Sequence, residues 1–294
     1  MIATTKGQKA FQVFDVVFMI ALAFVTLYPF YYVAVASFSN AAEFMKFQGL
    51  LYKPVGFTTA AYRYVLRNDM ILRGFLNTGL LIVTRVSLAM LLTIIGSYVL
   101  SRKQVLWKPV FMFLIVFTMF FSGGIIPLYL LVKELSLTNT IWAVILPSAL
   151  NTFYMIITRN FFQSLPAALE ESAEIDGAGN LTILFRIYLP LAMPILATIA
   201  LFYAVDRWNE WYSAMIFIRT PTLTPLQLVL RSIVIESQIV TGETTSAGAE
   251  MGQSKFALGT KMAAVFISMV PIMAVYPFLQ KYFVKGVLIG AVKA

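Results

Sequence analysis

The sequence predicts an all-α membrane protein with six transmembrane helices and a polar helical hairpin between spans four and five. Three observations predict it. The 294 residues are 60% hydrophobic and 12% charged, with a mean hydropathy of +0.83, far more apolar surface than a soluble domain of this length needs. Six apolar runs, at residues 14–36, 74–100, 110–132, 140–157, 191–218 and 257–283, are each long enough to cross ~30 Å of hydrocarbon as helices. A charged, helix-prone segment, residues 164–190, lies between two of them.

Taken in order, residues 1–11 are polar and carry Lys6 and Lys9. Ala34-Val35-Ala36 has the look of a signal-peptidase site, but the run before it is too long for a secretory leader, so an uncleaved first span is expected. Residues 39–72 are mixed and polar, and Ser101-Arg102-Lys103-Gln104 ends the second span. The third carries Ser122-Gly123-Gly124 and Pro127 in its middle. Such a break marks a cavity or gate, or else close packing of small residues. The fourth is followed by Arg159, and the fifth and sixth are separated by a long outer loop, 219–256, whose stretch Thr241–Gly248 is flexible by composition.

The hairpin has its own local logic. Ser164 is placed as an N-cap, with Pro166 in the first turn. Glu170 and Glu171 sit early, at the positive end of the dipole, and Ala167, Ala168, Leu169 and Ala173 favour helix. Gly177 is placed to stop the helix in the left-handed conformation, and Asn180 to cap a second helix over 181–188. Pro190 and Pro194 mark the next span. Ala168, Ser172 and Ile175 fall near one face and offer a surface of small residues. Two readings stand: an ordinary loop with a short amphipathic helix, or a grip for a soluble partner.

Six spans put both termini on one side with the hairpin, together with Lys6, Lys9, Arg102, Lys103, Arg159, Arg186, Lys281, Lys285 and Lys293. The positive-inside rule makes that side cytoplasmic. The opposite side carries as many basic residues, but on two long loops, which weigh less in this rule.

Several functions are excluded. With no Cys and no His, the chain has no disulfide framework, thiol nucleophile or Ser-His-Asp arrangement, and no usual haem ligand or zinc set. No G-x-x-x-x-G-K-[ST] is present, so nucleotide chemistry belongs to another chain. The net charge of +9, scattered between spans, suits anionic lipid headgroups rather than nucleic acid.

Charges inside spans are the other signal. Arg85 lies mid-span two; Asp206, Arg207 and Glu210 lie in the outer half of span five. Each costs about 2.5–3.5 kcal/mol or more in lipid, so all must face protein or water. One reading is a stabilising cluster in which Arg85 pairs with Asp206 or Glu210 and Arg207 bridges to Glu210. The other is a polar translocation path, with Tyr203, Trp208, Trp211 and Tyr212 as stacking faces for sugar rings. These aromatics also fit an interfacial belt. Asn77, Asn151 and Thr152 are further path candidates.

Glu171-Ser172-Ala173, Asp176-Gly177-Ala178 and Leu189-Pro190 resemble the coupling loop of bacterial ABC importer permeases, whose pattern is E-A-A, a Gly four residues beyond the second Ala, and a later L-P; Ser172 replaces the first Ala. Trp208-Asn209-Glu210-Trp211 is similar to the W-N-x-W segment of the carbohydrate-importing members. Residues 121–133 and 225–231 resemble the polysaccharide-associated branch, and the tail 286–293 the maltose-type second permease. An alginate-type importer is left open.

The resemblance implies a type I ABC importer permease in the bacterial inner membrane, multi-pass, with both termini cytoplasmic and no catalysis of its own. It implies a second homologous permease, two ATPase subunits that hold ATP and Mg, an extracytoplasmic sugar-binding protein and an oligosaccharide cargo. In this family the hairpin is the coupling helix, which seats on the ATPase. Carried onto this chain, that role falls to Glu170, Glu171, Ser172, Ala173, Asp176, Gly177, Ala178, Leu189 and Pro190. The substrate-path candidates are Arg85, Tyr203, Asp206, Arg207, Trp208, Asn209, Glu210 and Trp211. Arg85 and Arg207 in a path would suit an acidic, uronate-type cargo. The competing expectation is an ion-coupled secondary transporter using Asp206 and Glu210. A membrane-anchored enzyme or respiratory scaffold is a third, poorly equipped without His and Cys.

Overall fold

The computed structural model describes residues 6–242 and 258–277. Residues 243–256 of the expected outer loop, the end of the sixth span (278–283) and the tail 286–293 lie outside the described residues. In chain order the helices are α1 (Lys6–Ser37), α2 (Ala41–Phe44), α3 (Ala60–Arg67), α4 (Asp69–Ser101), α5 (Lys108–Phe120), α6 (Ile125–Glu134) and α7 (Ile141–Ile145). They continue as α8 (Thr152–Ser164), α9 (Ala167–Ile175), α10 (Asn180–Ile183), α11 (Leu189–Trp208), α12 (Tyr212–Phe217), α13 (Leu226–Gly242) and α14 (Leu258–Pro277). No strand occurs among the described residues; Ser39 and Phe57 form one isolated antiparallel bridge.

Two compact units separate, one within Met1–Asp69 and Leu230–Pro271, the other within Met70–Val229 and Ile272–Ala294. In the first, Val35, Ala36 and Leu51 form a small core with Tyr32, Phe44, Val55 and Met262 around it. Ser37 Oγ and Tyr62 OH lie 2.6 Å apart, and the Tyr62 ring meets Phe266 edge-on. Most of α1 is exposed and apolar on all sides, as expected of a helix that faces lipid or another subunit.

The second unit carries the candidate site. In α4, Ile71, Gly74, Thr78, Leu81, Arg85, Ala89, Thr93 and Ser97 are buried, a single stripe at three- and four-residue spacing. Much of that stripe is small or polar, while Leu76, Leu80, Val83 and Leu91 are exposed. This inverts the pattern of a water-soluble helix, as lipid requires: apolar chains gain nothing by leaving it, and small residues let backbones approach. At 33 residues α4 is about 50 Å long and outreaches the hydrocarbon.

Four helical stretches are long and apolar enough to cross a membrane: Gly7–Ser37, Asp69–Ser101, Asn180–Trp208 and Leu258–Pro277. The other two expected spans are broken. Lys108–Phe120 and Ile125–Glu134 meet at 111°, and Ile141–Ser148 and Thr152–Ser164 at 49°. The first break falls at Ser122-Gly123-Gly124, where Gly124 takes φ +82° with open space beside it. Residues 121–127 are exposed, so packing within this chain does not account for these glycines. The second falls where Pro147 has no N–H to donate: the chain tightens to a 3-10 turn, Leu146–Ser148, and Asn151 Oδ1 starts α8 by accepting from the Tyr154 N–H at 3.2 Å. Counted with each bent pair as one, there are six spans.

Three boundaries differ from expectation. The fifth span ends at Trp208 rather than Ile218, with α12 as a separate short helix. It begins at Asn180, because the predicted second hairpin helix runs straight into it through a widened turn, Leu184–Tyr188. The expected outer loop contains α13, a helix of 17 residues. Its start is tied to α4: Asn77 Nδ2 donates to the Thr222 and Thr224 carbonyls at 2.8 and 3.0 Å, and the Leu226 N–H donates to Thr78 Oγ1 at 2.9 Å. Asn77 is therefore a structural tie.

Gly74 makes that tie possible. A Cβ there would stand 3.0 Å from the Leu226 Cα and 3.2 Å from its N, both backbone. Gly74→Val should lower stability by about 1–3 kcal/mol, read as a lower unfolding midpoint of the purified protein in detergent. Gly79→Val, with nothing within 4 Å of its Cβ position, is the control and should leave the midpoint within about 1 kcal/mol.

Candidate functional site

Two clusters in the second unit hold the predicted site residues. The first is the hairpin. Helix α9 begins directly after Pro166, with no side-chain cap; Ser164 instead ends α8 and donates to the Phe161 carbonyl at 2.7 Å. The expected cap at Ser164 is thus replaced by proline geometry. The helix stops as predicted. Gly177 takes φ +80°, its N–H donates to the Glu174 carbonyl at 3.0 Å, and the Ala178 N–H donates to the Ala173 carbonyl at 2.9 Å. This doubly bonded left-handed ending satisfies carbonyls that would otherwise be orphaned.

The two faces of α9 do different work. Ala173 is buried among Tyr98, Phe162, Ile183, Leu184 and Tyr188. Glu170 and Glu174, one turn apart, face inward onto Arg102. Arg102 Nη1 lies 2.7 Å from Glu170 Oε1, and Nη2 lies 2.9 Å from Glu174 Oε1. Arg102 Nη2 also donates to Asn180 Oδ1 at 3.1 Å, and Tyr188 OH donates to Glu170 Oε2 at 2.6 Å. Asn180 is therefore no N-cap, a place taken by Gly179 without a side-chain bond. Its carbonyl accepts from Tyr98 OH at 3.0 Å. Burial pulls the Arg102 guanidinium down, but Tyr98, Glu170 and Glu174 outweigh it, so its pKa is raised and it stays charged.

Ala168, Glu171, Ser172, Ile175 and Asp176 are exposed, Ile175 at 86%. Glu171 makes no hydrogen bond or ion pair among the described residues. Leu189 closes the widened turn by donating to the Leu184 carbonyl. Pro190 cannot donate to the Arg186 carbonyl four residues back, and its ring crowds that position; the widened turn relieves both. A cavity of about 390 Å³ lies under the hairpin, lined among others by Arg102, Lys103, Gln163, Glu170, Glu174 and Tyr188.

The second cluster sits at the α7/α8 break. Arg85 Nε donates to the Ser148 carbonyl and to Ser148 Oγ, both at 3.2 Å, and its Nη1 donates to the Tyr203 carbonyl at 3.3 Å. Arg207 Nη2 donates to Ser148 Oγ at 3.0 Å and to the Val144 carbonyl at 3.4 Å. Both cations thus meet the negative end of the first half-helix. On the other side of the break the Asn151 N–H donates to Tyr203 OH at 3.0 Å, which lies 2.8 Å from Thr93 Oγ1. Tyr203 is fully buried, and Arg85 and Arg207 are 6% and 4% exposed.

These bonds correct the expected ion pairs. Arg85 pairs with neither Asp206 nor Glu210, and Arg207 does not bridge to Glu210. The ion pairs of this unit's predicted site residues are instead those that Glu170 and Glu174 make with Arg102. Asp206 accepts from Tyr154 OH at 3.1 Å, and Glu210 Oε1 accepts from the Ser213 N–H at 2.8 Å, which starts α12. Trp208 is half-buried against Phe75, and Trp211 meets Tyr212 edge-on. Asp206 and Asn209, three residues apart on α11, are exposed. Sequence reading missed Arg102, Tyr98, Tyr188 and Ser148. Only Arg102 had a local signal, a cation just beyond a helix end.

Arg207→Gln removes the buried charged donor that Ser148 Oγ and the Val144 carbonyl share, leaving Ser148 Oγ with Arg85 and the Val144 carbonyl with Ser148 Oγ. It should cost about 1–3 kcal/mol and reduce uptake of acidic and neutral sugars by the same factor. Thermal unfolding with paired uptake assays checks this, and a loss confined to acidic cargo would contradict the brace.

Comparison with known proteins gives these clusters a context. The chain is 41% identical over 276 residues to the polygalacturonan/rhamnogalacturonan transport system permease protein YtcP of Bacillus subtilis (strain 168), covering 94% of this chain and 96% of that protein. Protein LplC of the same organism is 40% identical over 291 residues, 98% of this chain and 97% of LplC. A chain from a bacterial ABC transporter involved in the import of the acidic polysaccharide alginate superposes with a TM-score of 0.86 at 31% identity, over 96% of this chain and 100% of that one. Residues 11–289 match the profile described as binding-protein-dependent transport system inner membrane component. Six apolar spans, a clamped acidic hairpin and a match along nearly the whole sequence agree: the chain belongs to the family of binding-protein-dependent transport system inner membrane components.

Proposed function

We propose that this chain is one permease of an ATP-driven importer that passes an acidic, uronate-type oligosaccharide from an extracytoplasmic binding protein into the cytoplasm. The observation that carries the reading is the hairpin: Glu170 and Glu174 bind inward to Arg102, while Glu171, Ser172 and Ile175 stand exposed. An acidic, small-residue face held rigidly from behind is suited to a groove on a soluble ATPase. The relatives that import polygalacturonan, rhamnogalacturonan and alginate support the cargo class.

In this reading a second homologous permease completes the path, and two ATPase subunits hold ATP and Mg. The hairpin side and both termini are cytoplasmic, and this chain performs no catalysis. ATP moves the assembly only by favouring one global state over the other, and the hairpin is where that difference reaches the spans. The exposed Asp206 and Asn209 face water or the second permease, since a carboxylate facing lipid would cost about 2.5–3.5 kcal/mol. A secondary carrier is disfavoured by the family and by geometry: Asp206 is held by Tyr154, and Glu210 starts α12.

Tagged and purified from a native membrane, the chain should bring an ATPase, a second permease and a binding protein with it. In proteoliposomes the complex should import oligouronates in an ATP-dependent manner. Glu171→Lys should leave ATP hydrolysis within about twofold of wild type and cut uptake at least about tenfold, a loss of ~1.4 kcal/mol or more in coupling. Full coupling in that variant would remove the docking role.

A further inference from the structure

The hairpin and the α7/α8 break are joined by the same two helices. Helix α4 ends at the hairpin with Arg102 and holds the break with Arg85. Helix α11 grows out of the hairpin through Tyr188 and holds the break with Tyr203 and Arg207. The α4 end is itself fixed. Its Leu100 carbonyl accepts from Arg159 Nε at 3.2 Å, and Lys108 Nζ donates to the Ser101 and Arg102 carbonyls at 3.3 and 3.0 Å. The backbone around Arg102 is thus tied by side chains of α5 and α8, and its guanidinium meets two carboxylates of α9 and the Asn180 amide oxygen.

We infer that Arg102 is a positioning residue that makes α9 and α4 move as one body, so that displacement of the hairpin reaches the Ser148–Asn151 break along α4, in parallel with α11. The inference deepens the importer reading and rests on it for its biological use. Three features of the geometry favour it. Arg102 is 8% exposed and Glu170 23%, so that contact is shielded from water, while the Glu174 side chain, at 42%, lies at the rim. Arg102 Nη2 donates to Glu174 Oε1 and Asn180 Oδ1 while Nη1 stands 2.7 Å from Glu170 Oε1 as an ion pair, so one guanidinium holds two carboxylates of α9 and the start of α10. The break is held by side chains of α4 and α11 and includes a 3-10 turn that ends at Ser148, so a shift of either helix moves its hydrogen-bond partners. A packed junction of this kind has discrete arrangements rather than a continuum.

Spatial continuity alone does not establish coupling, so the test reads both ends. Arg102→Gln and Arg102→Lys are made in the full chain within the complex, and backbone hydrogen exchange is followed in nanodiscs alongside transport. Arg102→Gln should speed exchange in α9 and, remotely, at residues 149–152, by about tenfold at each, with unchanged complex yield. Arg102→Lys, which keeps one charge but loses the fork, should fall between it and wild type. The Glu170→Gln/Glu174→Gln variant should reproduce the remote effect, and combining it with Arg102→Gln should add nothing. Uptake per ATP should fall at least about fivefold while hydrolysis persists.

Faster exchange confined to α9, or an additive combined variant, overturns the inference whatever transport does. If Arg102→Gln fails to assemble, the same exchange comparison on Arg102→Lys decides. A wild-type complex without ATP-driven uptake would instead overturn the functional reading, leaving the exchange result to judge the linkage by itself.

Discussion

A backbone carbonyl that loses its helical partner inside hydrocarbon finds no water to replace it. The second unit depends on how that constraint is met at Ser148, where Pro147 interrupts the fourth span. Arg85 and Arg207 bring their donors to Val144 and Ser148, and Tyr203 takes up the Asn151 N–H. Two like charges sharing one serine would repel each other. The negative end of the half-helix and the carbonyls they satisfy offset that repulsion. Charges that look, in one dimension, like cargo contacts are employed in holding a break open at a fixed angle.

The same constraint explains the inverted surface of α4. Leu76, Leu80, Val83 and Leu91 point outward, and Gly74, Thr78, Arg85, Thr93 and Ser97 point inward beside Ile71, Leu81 and Ala89. Close approach, rather than apolar burial, organises this helix, most plainly where Gly74 meets the Leu226 backbone. Polar side chains inside the bundle then find partners: Thr93 at Tyr203, Ser97 at the Met155 carbonyl, Thr78 at the Leu226 N–H.

At the far end of α4 the chain changes register, from groups that satisfy backbone to groups that hold another helix. Arg102 carries ion pairs to Glu170 and Glu174, and they hold α9 with one face inward. Glu170 and Glu171 are divided by that clamp: one carboxylate binds the chain's own arginine, and its neighbour, rotated by 100° on the helix, stands exposed. In the proposed importer, such backing would let a docked partner's motion be transmitted rather than absorbed.

The sequence by itself determined the class, the six apolar runs and the acidic hairpin with its glycine stop. All of these depend on composition or on neighbours a few residues apart: the length of an apolar run, or the left-handed freedom of Gly177. The interruption of span three at Ser122-Gly123-Gly124 was likewise legible; tertiary structure decided that span four breaks after Ser148, that span five starts at Asn180, and which partners the buried charges take. Arg85 reaches Ser148 across 63 positions and Tyr203 across 118, and Arg102 reaches Glu174 across 72. A carboxylate three or four residues away on the same helix is a visible candidate for pairing. A carbonyl left free where a half-helix ends is not, because it has no identity in the sequence until the helices are packed.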